Sequence, residues 1–208
     1  MRIEFQSHFD IDYIHAATAL EGVALTTTIL ETLKHQGILD YVKIHRALVL
    51  GIGNAHEMWA LRRLGIPYVL GVDDDSMPFW RIVRDDILAK TQNIETAIGQ
   101  TFSEWLGKYN GNPFDLMLTI QSPAGFWDGV NWKKVAHLLS EGGVFIIDGD
   151  DNPGDHGFTD ELSLTWFNVD YKLDFPAEVK DLTSGSTTIY QVRKNMSLQR
   201  KVQLARHK

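Results

Sequence analysis

Two glycines and one carboxylate define the chemistry that this chain can attempt. Gly51 and Gly53 stand in the turn Gly51-Ile52-Gly53-Asn54, and Asp73 closes the run Val-Leu-Gly-Val-Asp about 20 residues further on. Glycine has no Cβ, so Gly51 and Gly53 can take φ > 0 and let a ligand lie against the backbone. A carboxylate at the tip of the next strand suits a ribose diol, because it accepts two hydrogen bonds in a fork. Turn and acid together point to a nucleotide-type ligand. The plainer alternative is a crossover that binds nothing, with Gly53 serving only the turn. No Gly-Lys-Ser/Thr follows, which excludes a P-loop. A dinucleotide fingerprint needs another glycine three residues after the second. Bulky His56 stands there.

These residues need a βαβ unit to hold them. Ala47–Leu50 is an apolar run long enough for a buried strand. From Ala55 to Leu64, Met58, Leu61 and Leu64 recur at helical spacing, and Gly65-Ile66-Pro67 stops that helix. Tyr68–Val72 reads as a second buried strand that ends at Asp73. Asp73, Asp74 and Asp75 are adjacent, and neighbours on an extended chain point opposite ways, so they cannot all ligate one metal ion. Ribose contact from Asp73, with a helix cap from Asp75 or Ser76, is the simpler expectation.

The pattern Val-Leu-Gly-Ile-Gly-Asn, then Val-Leu-Gly-Val-Asp, resembles motif I and the following acidic strand of class I S-adenosylmethionine-dependent methyltransferases. The resemblance implies that Gly51 and Gly53 pass the methionine part of the cofactor and that Asp73 holds the ribose. Asn54 and Asp74 beside them are implied as further cofactor positions. The family's fuller pattern is Asp/Glu-x-Gly-x-Gly-x-Gly; Val49 stands at the acid and Ala55 at the last glycine. The implied fold is a single α/β domain over 1–194. It is a Rossmann-like, seven-stranded, mostly parallel sheet with helices on both faces and a C-terminal antiparallel hairpin.

The rest of the chain follows that order. Asp12–Lys34 reads as a helix ended by Gly37, within an N-terminal lid or arm over 1–40. Met77–Lys90 reads as a helix opened near Pro78, with Ile82, Val83 and Ile87 inward. Ile94–Ile98 is a short strand, after which Gln100 stands where the family places an adenine contact. Thr101 is either a further cofactor position or only the cap of a helix over Phe102–Leu106. Phe114–Ile120 resembles the family's Phe-Asp-Leu-Val strand, whose end carries substrate-facing residues, here Gln121-Ser122-Pro123. Gln121 is implied as a cofactor contact. Phe126, Trp127 and Trp132 could line an aromatic pocket or simply pack. Trp132–Leu139 reads as a helix capped by Glu141-Gly142-Gly143, and Gly143–Asp148 as the fifth strand. Thr159–Phe167 reads as a helix. Phe175–Leu182 and Thr187–Val192 read as a hairpin joined through Ser184-Gly185-Ser186.

The segment Asp148–His156 is rich in ligand-type residues. Asp148, Asp150 and Asn152 alternate like the start of a calcium loop, but Pro153 takes the required glycine position and Thr159 that of the bidentate glutamate. Metal-dependent members of the family also use an acid after the fourth strand, where this chain has Gln121. No metal site is assigned. Asp148, Asp150 and His156, with His56, are the candidate bases. Methyl transfer needs little beyond in-line placement of an acceptor lone pair, so an obvious base is not required.

Composition narrows the classes. The chain has 208 residues, 44% hydrophobic and 23% charged, as in an ordinary globular domain. Without cysteine there is no disulfide, thiolate nucleophile or cysteine-ligated zinc. No apolar run approaches the ~18 residues of a membrane span. Met1–Phe5 lacks a signal-peptide stretch, so a cytoplasmic location is expected. The formal charge is -7, which speaks against a broad nucleic-acid footprint. The expected function is methyl transfer to a small-molecule or otherwise unidentified acceptor. The alternatives are an inactive methyltransferase-like binding or regulatory protein and, against His56 and the hairpin, an NAD(P)-dependent enzyme.

Arg193–Lys208 holds Arg193, Lys194, Arg200, Lys201, Arg206 and Lys208 and no acid. Its end, 195–208, reads as a basic tail, and a homo-oligomer is possible. Such a tail is most simply solvated chain. Deleting Asn195–Lys208 is then expected to leave the size-exclusion profile unchanged, and a shifted elution would give the tail a role in association.

Overall fold

The structure is a computed structural model that describes residues 26–76, 81–120, 130–148, 159–172 and 184–195. Helix α1 (26–35) buries Ile29, Leu30 and Leu33 on one face. Gly37, at φ +70°, ends it, and Ile38 N–H turns back to the Leu33 carbonyl at 2.8 Å. The earlier part of the helix expected over Asp12–Lys34 lies outside the described residues.

Seven strands follow: β1 (Arg46–Leu50), β2 (Tyr68–Asp73), β3 (Ile94–Ile98), β4 (Phe114–Thr119), β5 (Leu139–Asp148), β6 (Leu162–Lys172) and β7 (Ser184–Lys194). They form one sheet in the order β3-β2-β1-β4-β5-β7-β6. The first five are parallel, and β7 runs antiparallel between β5 and β6. Four helices alternate with the parallel strands: α2 (His56–Arg63), α3 (Arg81–Lys90), α4 (Phe102–Lys108) and α5 (Trp132–Leu138). Strand order reverses between β1 and β4. Such a switch point opens a crevice at the carboxyl ends of the strands.

Two apolar cores sandwich the sheet. Side chains alternate across a strand, so Ala47 and Val49 face one layer and Leu48 and Leu50 the other. The first layer packs α1, α2 and α3 through Leu33, Met58, Leu61 and Ile87. The second packs α4 and α5 through Phe102, Trp105, Trp132 and Val135. Trp132 is therefore core, not pocket lining. At the amino ends of the strands, Asp115 acts as a clamp. Its carboxylate accepts from His45 N–H (2.9 Å), Arg46 N–H (3.1 Å) and the Ser140 hydroxyl (2.7 Å), joining β1, β4 and β5.

Three local expectations change. The segment read as a helix over Thr159–Phe167 is the start of β6. Its apolar series changes face between Trp166 and Phe167, which puts Leu162, Trp166 and Val169 at helical spacing although the chain is extended. The turn expected at Ser184-Gly185-Ser186 lies inside β7, opposite Lys172, Tyr171 and Asp170. The hairpin is thus made from β6 and β7, while the strand expected over Phe175–Leu182 lies outside the described residues. Glu141-Gly142-Gly143 does not cap α5 but forms an irregular stretch of β5, with Gly142 at φ +78° and a register shift opposite Phe114–Leu116. A Cβ on Gly143 would come within 2.8 Å of the Ser140 carbonyl oxygen, so glycine suits this bulge.

Two of the terminal bases are structural. Arg193 donates to the Ile38 carbonyl and Lys194 to the Leu139 carbonyl, both at 2.8 Å. Asn195 still belongs to the fold, pairing with the Glu161 and Asp160 carbonyls. Residues 196–208 lie outside the described residues. No described helix is long and apolar enough to cross a membrane.

Close packing of the glycine-turn layer depends on Gly71 in β2. A Cβ there would sit 2.5 Å from both Ile52 Cγ2 and Met58 Sδ. Gly71→Ala is expected to lower stability by about 1–3 kcal/mol through overpacking, read as a lower denaturation midpoint; an unchanged midpoint would mean that Ile52 and Met58 yield freely.

Candidate functional site

The turn after β1 is built from alternating left-handed residues. Gly51 has φ +69°, Gly53 φ +44° and Ala55 φ +65°. Ala55 thus adopts a glycine-like backbone at the position of the family's last glycine, at a steric cost of about 1–2 kcal/mol. Gly51 N–H donates to the Val72 carbonyl at 2.8 Å, tying the turn to the end of β2. A Cβ on Gly51 would meet no atom of the described residues within 4 Å, so these residues leave the space beside this turn open.

Asp73 lies where the turn and the end of β2 meet. Its Oδ2 accepts from Gly53 N–H at 3.0 Å and its Oδ1 from Asp75 N–H at 2.7 Å. An ionised carboxylate has about four lone-pair sites, so among the described residues each oxygen keeps one acceptor position. The Asp73 carbonyl accepts from Gly99 N–H (2.8 Å) and Gln100 N–H (3.2 Å), which fixes the end of β3 beside it. Gly51, Gly53, Asp73 and Gln100 therefore share one edge of the sheet. Asp148 ends β5 on the same edge, 3% exposed.

The three consecutive acids take different partners, in a backbone that leaves the extended form at Asp75 (φ +61°). Asp74 is exposed and accepts from Ser76 N–H at 2.9 Å. Asp75 meets two arginines: Arg81 donates from Nε at 3.0 Å and Arg84 from Nη1 at 2.9 Å. Those bonds, from Arg81 first and then Arg84, hold the Asp75 carboxyl below its ordinary value of 3.8. The helix cap expected of Asp75 or Ser76 would fall on residues 77–80, outside the described residues.

Other expected site residues play local roles. Thr101 caps α4: its hydroxyl accepts from Glu104 N–H, and Glu104 reaches back to Thr101 N–H at 2.9 Å. That backbone bond holds the Glu104 carboxyl below its ordinary value of 4.5. The Gln100 side chain lies 3.5 Å from Lys108 Nζ. Asn54 points inward, with its Oδ1 on His56 N–H and against His56 Nδ1. His56 Nε2 lies 3.0 Å from Glu57 Oε1, and all three residues are buried. His56 is thus enclosed at the start of α2 instead of standing free as a base. Gln121, Phe126, Trp127, Asp150 and His156 lie outside the described residues.

Arg81 and Arg84 were not anticipated. Their signal was present as an arginine pair at i, i+3 opening the helix that follows three acids. Its target could not be read, because spacing along the chain does not say which acid the fold brings within reach.

No protein-family model and no curated protein matches the chain. Solved structures do match. Precorrin-6y C5,15-methyltransferase from Geobacter metallireducens GS-15 superposes with a TM-score of 0.54 at 16% identity, over 91% of this chain and 92% of that one. Cofactor-bound Rv0187 from MTB gives 0.53 at 17% identity, over 88% and 92%. The O-methyltransferase from Bacillus cereus in complex with SAH gives 0.50 at 14% identity, over 90% and 84%. The likeness is one of fold: the chain has the Rossmann-like fold of class I methyltransferases, including the antiparallel β7.

An Asp73 that served only a ligand could be replaced by alanine without effect on melting of the free protein. Because its carboxylate accepts two backbone N–H groups, the substitution is expected to destabilise the free protein by about 1–3 kcal/mol. Thermal melting without ligand checks this, and an unchanged midpoint would show both bonds to be dispensable.

Proposed function

We propose that this chain binds S-adenosylmethionine at the carboxyl ends of β1, β2 and β3 and transfers its methyl group to a small-molecule acceptor. One observation carries the reading: at the end of β2, next to the switch-point strand β1, the Asp73 carboxylate is braced between Gly53 N–H and Asp75 N–H, and among the described residues one acceptor position is left on each oxygen. That arrangement suits a vicinal diol. The open space beside Gly51 leaves room for a ligand along the turn. Gln100, held by the Asp73 carbonyl, is suitably placed for the adenine end.

The cofactor supplies an activated methyl group on a sulfonium. The tasks left to the protein are binding and alignment. Asp73 orients the ribose, and the left-handed turn lets the ligand approach the backbone. The acceptor's lone pair must then lie in line with the methyl carbon, which is chiefly a matter of position. Buried Asp148, on the same sheet edge, is the described carboxylate best placed to take an acceptor's proton or hydrogen bond. His56, packed against Asn54 and Glu57, occupies the position where a dinucleotide site needs glycine.

Parallel calorimetric titration with S-adenosylmethionine, S-adenosylhomocysteine and NAD tests the proposal. Binding of both adenosyl ligands in the micromolar range, about -8 kcal/mol, without NAD binding is the expected result. No adenosyl binding would overturn the proposal, and NAD binding alone would replace it with a dinucleotide site.

A further inference from the structure

We infer that Arg84 is a positioning residue: acting through Asp75, it sets the orientation in which Asp73 presents its carboxylate. The inference rests on the proposed ribose contact of Asp73. Arg84 is 4% exposed, so its guanidinium is a buried cation that needs a partner. Its Nη1 lies 2.9 Å from Asp75 Oδ1 and 3.9 Å from Asp73 Oδ1. One nitrogen therefore sits between two carboxylates, nearer to Asp75. Arg81 also grips Asp75, with Nη2 2.5 Å from Oδ2, but its side chain is 51% exposed and more strongly screened by water.

The link from Asp75 to Asp73 is made by backbone. Asp75 has φ +61°, an uncommon conformation for a residue with a side chain, although aspartate tolerates it better than most. Its N–H donates to Asp73 Oδ1 at 2.7 Å, and its φ sets the direction in which its side chain leaves that bond. The Asp73 carboxylate is thereby fixed on one side by the glycine turn and on the other by a residue anchored to α3. An aspartate carboxylate otherwise rotates in a broad torsional well, so the second anchor decides where its remaining lone pairs point. Without the Arg84 cation, the neighbouring carboxylates also repel each other and Asp75 loses its buried tether. The expected consequence is a specific one: recognition of the ribose hydroxyls weakens more than the rest of the ligand contact.

The test compares S-adenosylhomocysteine with its 3′-deoxyribose analogue by calorimetry. It uses the full chain as wild type, Arg84→Met and Asp75→Gly. Glycine adopts positive φ freely and carries no acceptor, so Asp75→Gly removes the arginine link without forcing the backbone, and it carries the test if Arg84→Met does not fold. Wild type is expected to prefer the parent ligand by about tenfold or more, the scale of a hydrogen bond to a charged group. In the variants that preference should shrink to about threefold or less. A variant that keeps the full preference, whatever its overall affinity, overturns the positioning role and leaves Arg84 a merely structural cation. Wild type that binds the parent without any preference removes the ribose contact of Asp73 and the inference with it. Absence of any binding by wild type overturns the proposed function itself.

Discussion

The hydrogen bond from Gly53 N–H to the Asp73 carboxylate joins two points 20 residues apart and locks the glycine turn onto the end of β2. Much of the site hangs on that junction. Through its carbonyl, Asp73 also receives Gly99 and Gln100, so the ends of β1, β2 and β3 meet at one residue. Asp73 can do this because its carboxylate and its carbonyl each offer more than one lone pair, whereas a backbone N–H offers one proton. The turn must expose that N–H, which requires the left-handed conformations at Gly51, Gly53 and Ala55.

The rigidity of the junction comes from the layers beneath it. Ile52 and Met58 press onto β2 at Gly71, where no side chain intervenes. In the dinucleotide pattern, close helix–strand approach comes from a glycine on the helix side. Here the small residue lies on the strand, and the helix start carries the buried Asn54, His56 and Glu57 cluster instead. At the opposite edge, Asp115 ties the starts of β1, β4 and β5. Carboxylates thus organise both ends of the sheet: Asp115 by closing gaps among strands, Asp73 by leaving acceptor positions open at the crevice.

Much of the parallel half was legible because its signals are local. Apolar runs of strand length, helical spacing at Met58, Leu61 and Leu64, and the helix cap that is one of two readings of Thr101 each act within a few residues. The hairpin was legible in kind but not in place. Leu162–Val169 combines strand alternation with a phase change that imitates a helix, and only pairing with β7 decides between them. Gly142-Gly143 likewise carries the residues of a helix cap, but the register shift against β4 makes the pair a strand bulge.

Neighbouring residues suffice for the glycine turn, the acid at the next strand's tip and the layered α/β order, because turn chemistry and hydrophobic period are local properties. What each of the three acids meets is settled by the tertiary structure: Gly53 for Asp73, Ser76 for Asp74, Arg81 and Arg84 for Asp75. It alone turned Arg193 and Lys194 from apparent tail charges into anchors on Ile38 and Leu139. The physical reason is common to both cases. A charge or a carboxylate takes whichever partner the packed chain brings within reach, and that reach is set by contacts far apart in sequence.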